Sequence, residues 1–492
     1  MLQRDIISGH LNEALSAPLR AFKRSYLPPM MVYFAAGAVG LTAIADQFWV
    51  KQSLSLTPAG LAGLAVWIGL PSIMKMVFGE MVDTVPIFGS QRRAYIFIGA
   101  GLIALAFLML AGSASGRLTF LSPDKMYVAA SILSAIGLVV QDVAADAMTT
   151  EVVDRKNADG TPRPKADVDA ELAMVQVIGR LFLSAGTLTV SYLAGYLATI
   201  WSYDKVFLAG LAVPLVSVAG ALLVKDDTSE RRPTDWRILG GGIAFGVVVL
   251  ILGLTEFPLA QEITFLVSLA VIALMLKRVT TDIDTGTRTK IFYAALIIFW
   301  FRAFPSVGDG YRWFLIDRYG FDELFFGGLN TIGALLMFAT AWLLSGVISN
   351  TRISSLLVWL TVASTILAIP GLILVFEGAM AWTQGATGLG PRSLAVIDSA
   401  VQSPISNLSM IPMLTLIAVN APVGSRAVWF ALMASFMNTA LTAGDLMTKY
   451  MNLIFVVERG NYAELPALTV WVTIIAFVLP LAAIALWRRH ID

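Results

Sequence analysis

Polar residues are too scarce in this chain for it to fold as a water-soluble body. Apolar runs of span length recur from residue 28 to residue 487, separated by polar turns. Of 492 residues, 57% are hydrophobic and only 14% charged, and the mean hydropathy is +0.77. A helix needs about 20 apolar residues to cross roughly 30 Å of hydrocarbon. Runs at or near this length lie at 28–50, 57–81, 94–112, 127–149, 171–198, 205–224, 237–254, 289–307, 324–346, 353–375, 395–419, 427–449 and 466–487, with a shorter one at 262–277. The expectation is an all-α membrane protein of about 14 transmembrane helices, each satisfying its own backbone as lipid demands.

The same composition excludes several function classes. There is no cysteine, so disulfides, thiolate chemistry and thioether attachment of haem are ruled out. The two histidines, His10 and His490, sit in the tails, so no span offers imidazole to a metal or a proton relay. No Walker loop is present. No cofactor, no metal and no enzymatic activity are expected. A net charge of +1 suggests no nucleic-acid partner. Residues 1–27 carry Arg4, Arg20, Lys23 and Arg24 without an apolar core, so a cleaved signal peptide is not expected. That segment is read as a short amphipathic helix on the inner face of the bilayer. Lys and Arg gather in the tails and in the loops at 150–170, 225–236 and 278–288. Both termini are therefore expected in the cytoplasm, in a plasma membrane, or the inner membrane of a bacterium.

The polar loop at 225–236 divides the chain. The expected organisation is a cytoplasmic segment at 1–27, a six-helix bundle at 28–225, a loop and extra two-helix hairpin at 226–288, and a second six-helix bundle with a short tail at 289–492. The halves carry traces of a repeat, as transporters often do. Asp46 and Trp49, followed by Gly63, are matched by Asp309 and Trp313, followed by Gly327. These acids and tryptophans are candidates for an outer cavity. The turn after Gly79 has a weaker echo from Gly346 to Arg352.

Two groups of polar residues stand out. The first is the short hairpin between the second and third runs, with Gly79, Asp83, Gly89, Arg92 and Arg93. Gly79 lets helices approach closely. Asp83 can accept from a helix N-terminus or a guanidinium. This set, with Glu151, is expected to form an inner gate. The second group lies inside the spans, where an ionisable residue costs at least ~2.5 kcal/mol on insertion scales and so lines a cavity or has a partner. Gln141, Asp142 and Asp146 lie in the fourth run, Gln176 and Arg180 in the fifth, Lys75 in the second and Arg302 in the ninth. Asp142 and Asp146 share one helix face. At about 1.5 Å per residue, Asp142 and Arg180 lie at similar depth, so a direct pair between them is expected. Two readings stay open: a structural network, or a pathway for substrate and protons.

The Gly79 to Arg93 hairpin resembles the loop between spans two and three of the major facilitator superfamily, and its longer Pro-Ile-Phe-Gly form is similar to the folate-biopterin transporter family. The stretches 139–151, 304–321 and 420–438 resemble that family too. Arg426 stands where the family pattern has an acid, which removes one inner-gate contact from the comparison. The resemblance implies the major facilitator fold and a rocker-switch transporter of folate, pterin or a similar heteroaromatic carboxylate. It implies a small-molecule substrate, proton coupling as a symporter, and a lipid bilayer as surroundings. Two rivals are a muropeptide-type permease and a non-transporting assembly factor of the light-harvesting-complex type.

Overall fold

The computed structural model describes residues 20–157, 159–224, 233–255, 257–279, 285–343, 353–408 and 426–490. The expected N-terminal amphipathic helix, the Gly346–Arg352 echo and the 420–424 part of the family-like stretch fall largely or wholly outside them. Among the described residues, ten helices are long and apolar enough to cross a membrane. The expected count of about 14 spans also includes the 289–307 run, whose helix ends at Arg302, and the 324–346 and 395–419 runs, which extend beyond the described residues.

Six helices come first: α1 (Arg24–Ser53), α2 (Pro58–Thr84), α3 (Arg93–Ala114), α4 (Pro123–Glu151), α5 (Lys165–Ile200) and α6 (Tyr203–Leu222). Their starts are written in the sequence. Thr57 accepts the Gly60 amide at 3.1 Å ahead of Pro58, and Ser122 caps α4 ahead of Pro123. Two helices follow as a hairpin, α7 (Trp236–Leu254) and α8 (Ala260–Arg278). The second half holds α9 (Thr285–Arg302), α10 (Asp309–Tyr319), α11 (Glu323–Leu343), α12 (Ser354–Val375), α13 (Glu377–Thr387), α14 (Pro391–Leu408), α15 (Arg426–Ile454) and α16 (Leu465–Trp487).

The expected 289–307 span is therefore only the first part of a broken one. Pro305 lacks an amide donor and Gly308 takes φ +78°, so the helix stops at Arg302 and restarts at Asp309. The opening helix of the first half is interrupted as well, by a 3-10 turn at Val39–Thr42. Asp46 and Asp309 each follow the interruption in their own half, which is what the sequence repeat reflects.

Small residues let the helices close on one another. A Cβ at Gly37 would lie 2.0 Å from the Leu183 carbonyl oxygen, and one at Gly186 would lie 2.1 Å from that of Phe34, so α1 and α5 touch backbone to backbone. Gly195 of α5 and Gly327 of α11 do the same between the halves. The second seam joins α2 to α15, where Asn438 Nδ2 donates to the Ser72 carbonyl at 3.1 Å. The α7–α8 hairpin rides outside this seam. Gln261 Nε2 donates to the Gly63 carbonyl at 3.0 Å, and Glu262 pairs with Lys449 at 2.7 Å, so the hairpin touches both halves. Its other face is apolar and open, with Leu254 76% and Leu274 67% exposed, as a lipid-facing surface requires.

Candidate functional site

A break in α2 sets the site. Pro71 weakens the helix, which gives way at Met74 and resumes at Lys75. Lys75 thus opens the second segment and turns into the first bundle. Its ammonium donates to Asp142 Oδ2 at 2.5 Å and to Asp146 Oδ2 at 2.8 Å. Both acceptors lie one turn apart on α4. The Tyr33 hydroxyl of α1 donates to Asp146 Oδ1 at 2.6 Å. The Arg180 guanidinium of α5 is within electrostatic range of Asp142 and Tyr33. It is exposed and makes no ion pair among the described residues. Two of the helices that carry the cluster also form the seams between the halves, since α2 meets α15 and α5 meets α11. The side chains of Lys75, Asp142 and Asp146 are 27%, 37% and 44% exposed, so the cluster is partly open.

Several expected site residues lie elsewhere or do other things. Asp142 pairs with Lys75 and not with Arg180, because the α2 break brings the ammonium into reach first. Gln141 is 2% exposed and belongs to the packing: it donates to the Ile96 carbonyl at 3.2 Å and accepts from Ser217 at 3.0 Å, stitching α4 to α3 and α6. Gln176 donates to the Thr149 hydroxyl at 2.8 Å, linking α5 to α4 beside the cluster. Arg302 ends α9 and lines a separate cavity of about 850 Å³ inside the second half, with Tyr311 and Asp398.

At the end of the molecule that carries the tails, the hairpin residues gather around one guanidinium. Arg92 is buried, pairing with Asp83 at 2.9 Å and Glu151 at 2.6 Å and donating to the Val82 carbonyl at 2.9 Å. Arg93 donates to the Val224 carbonyl just past α6. Gly89, at φ +81°, makes the turn that brings these groups back. Gly79 does not mark a close approach, since a Cβ there would lie 3.9 Å from Val143, an ordinary contact.

The far end is closed by contacts between the halves. Lys51 of α1 pairs with Asp317 of α10 at 2.5 Å. Arg459, in the loop after α15, donates to the Lys51 and Val50 carbonyls at 2.7 and 3.0 Å. Tyr203 donates to Glu323 at 2.8 Å. Tyr462 donates to Asp317, and burial together with this carboxylate pushes the Tyr462 hydroxyl up, so it stays a donor. Trp49 and Trp313 are 4% and 2% exposed within this layer, with the Arg459 guanidinium 4.1 Å from the Trp313 ring centre. Neither faces an open outer cavity in this state, because the closed halves cover them. Asp46 accepts from Tyr127 at 3.1 Å and lies within electrostatic range of Asp309 and Arg312.

Sequence reasoning missed Tyr33, Tyr311 and Asp398. Asp398 had a signal as clear as that of Asp142, an acid inside an apolar run; the tyrosines had none that separates them from interfacial aromatics.

Two helical halves that meet along two seams, with a charged cluster in the first and contacts between the two at the far end, have the architecture of a secondary transporter of the major facilitator fold. Solved transporters share this fold. A POT family transporter in complex with a thioalcohol-conjugated peptide superimposes with a TM-score of 0.69 at 15% identity, over 95% of this chain and 97% of that one. Another, in complex with 5-aminolevulinic acid, gives 0.68 at 12%, over 96% and 97%. Within that class, the chain belongs to the BT1 family, whose profile matches residues 36–492. It is 24% identical to a folate-biopterin transporter of Synechocystis over 96% of this chain and 85% of the relative. It is 23% identical to the probable folate-biopterin transporter 2 of Arabidopsis thaliana, over 86% and 74%. The chain is a secondary transporter of a small organic substrate, not an enzyme.

Proposed function

We propose that the substrate is a folate, a pterin or a similar heteroaromatic carboxylate, carried with protons by alternating access. One observation carries this reading. Arg180 presents a guanidinium without an ion-pair partner among the described residues, beside a lysine that already neutralises part of a two-carboxylate cluster. A guanidinium held at a seam suits bidentate capture of a carboxylate. Asp142 and Asp146 share one ammonium, so a proton on either carboxyl competes with Lys75, a coupling of charge to site geometry. The names of the relatives supply the heteroaromatic part of the reading.

The moving parts are the bundles at 28–225 and 289–492, with the hairpin at 226–288 as an insertion that follows both. The tail end faces the cytoplasm of a plasma membrane, and the contacts that close the far end support reading this as an inward-facing state. Reporter fusions after Asn157 should read cytoplasmic and after Phe257 external. Purified protein in liposomes should take up labelled folate or pterin, faster with an imposed proton gradient. Uptake of a muropeptide and of neither heterocycle would overturn the substrate; uptake indifferent to the gradient would overturn the coupling.

A further inference from the structure

A cavity of about 850 Å³ lies inside the second half, and none of the first-bundle cluster lines it. Its lining includes Met337 of α11 and Leu441 of α15. Those are the helices that meet α5 and α2 at the two seams, and Arg180 belongs to α5. Most of its surface is apolar, and Phe304, in the break between α9 and α10, leaves its ring 41% exposed against it. Its polar groups sit together. A Cβ placed on Gly371 would lie 3.1 Å from Asp398 Oδ1 and 3.5 Å from the Tyr311 hydroxyl, so both groups border the one gap that this glycine leaves. The Tyr311 hydroxyl is buried and has no hydrogen-bond partner among the described residues. A buried hydroxyl left unpaired costs free energy, and a ligand that pairs with it recovers that cost. Arg302 lines the same cavity.

We propose that this cavity is a second subsite, which takes the flat, N–H-bearing ring of the substrate while Arg180 holds its carboxylate. The chemistry of the two halves differs in the way such a molecule requires. A carboxylate repels another carboxylate but accepts from adjacent N–H groups, and a 2-amino-4-oxopyrimidine edge presents an amino group and a ring N–H side by side. Asp398 is placed to receive that edge, while the Tyr311 hydroxyl and Arg302 offer donors to the ring carbonyl. Phe304 supplies a face for stacking. Arg180, which makes no ion pair among the described residues, lies in the other half. One substrate that touches both halves is bound fully only when they are close, which ties its recognition to the rocking motion.

This inference rests on the substrate reading above, and three probes separate the two. Equilibrium binding to the purified full chain would be measured with folate, which has both ends, with biopterin, which has the ring and no carboxylate, and with p-aminobenzoylglutamate, which has the carboxylates and no pterin. Asp398→Asn should weaken folate and biopterin by about tenfold or more and leave p-aminobenzoylglutamate within about twofold. Gly371→Val fills the gap beside Asp398 without removing a polar group, and should show the same ring-selective loss. Unchanged binding of p-aminobenzoylglutamate reports that each variant is folded. Arg180→Gln should show the opposite selectivity. If Asp398→Asn and Gly371→Val spare the ring-bearing probes, or weaken all three alike, the second subsite is overturned and the substrate reading stands. If the wild-type chain binds none of the three, both are overturned.

Discussion

The two ends of the molecule are held in different ways. At the far end, Lys51 with Asp317, Tyr203 with Glu323, and Arg459 with the Val50 and Lys51 carbonyls all cross from one half to the other. At the tail end, Asp83 of α2, Arg92 just ahead of α3 and Glu151 of α4 belong to a single half. In both sets a largely buried cation meets partly exposed carboxylates: Lys51 is 13% and Asp317 34% exposed, while Arg92 is 7% and its partners Asp83 and Glu151 are 41% and 37% exposed. Partly exposed ion pairs contribute about 0–1 kcal/mol each, and buried charge-assisted hydrogen bonds about 1.5–3 kcal/mol. The ends therefore differ in what their contacts join, since the far-end set ties the two halves together and the tail-end set ties parts of one half around a single guanidinium.

Substitutions at four sites would break or sharpen this contrast. The largest effect is expected inside a bundle. Gly186→Ala drives a methyl into the Phe34 carbonyl, and overpacking there should cost about 3 kcal/mol or more. Loss of folded protein on size exclusion would show it; a normal yield would mean that α1 and α5 can slide apart. Arg92→Ala comes next. It leaves Glu151 and Asp83 without their shared cation, and should lower stability by about 2–3 kcal/mol and slow transport. A thermal unfolding midpoint and initial uptake rate equal to wild type would reduce the hairpin to a topological anchor.

Gly195→Ala places its methyl between the halves, 2.5 Å from the Glu323 carbonyl oxygen. Its expected effect is a change of state with little loss of fold: a far-end label becomes more accessible while the unfolding midpoint holds. A drop in stability like that of Gly186→Ala would show that the α5–α11 seam is not a moving contact. The smallest effect is expected at Gly79→Ala, within about 0.5 kcal/mol, because a Cβ there makes only ordinary van der Waals contact.

Much of this architecture is legible in the chain. Apolar run length alone marks α1 to α8, since lipid leaves few other ways to bury a backbone. The spacing of Asp83, Gly89 and Arg92 carries the tail-end cluster, because a tight turn must return the guanidinium to α2. What could not be read depends on interruptions. Nothing in a hydropathy pattern says that α2 gives way at Met74, and that break is what sends Lys75, in place of Arg180, to Asp142. The break at Ala303–Gly308 is marked in the sequence by Pro305 and Gly308, yet a hydropathy run simply ends there, since a half-span looks like a loop until its partner segment is known. Trp49 and Trp313 show a further limit. An aromatic at a span end reads alike whether it lines an open cavity or is sealed in a closed gate, and only the state of the two halves decides which.

The central claim is that substrate captured by Arg180 shifts the balance between a closed and an open far end. The chain contains no cysteine, so single spin labels can be placed without background, at Ser53 and Glu464 across the far end and at Lys156 and Arg288 across the tail end. Pulsed dipolar distances in lipid should show one short far-end distance without ligand. Folate should bring in a second, longer far-end population together with a shorter tail-end one, and Arg180→Gln should abolish that response while keeping the ligand-free distances. Far-end and tail-end distances that ignore folate, or that respond equally in Arg180→Gln, would contradict the account.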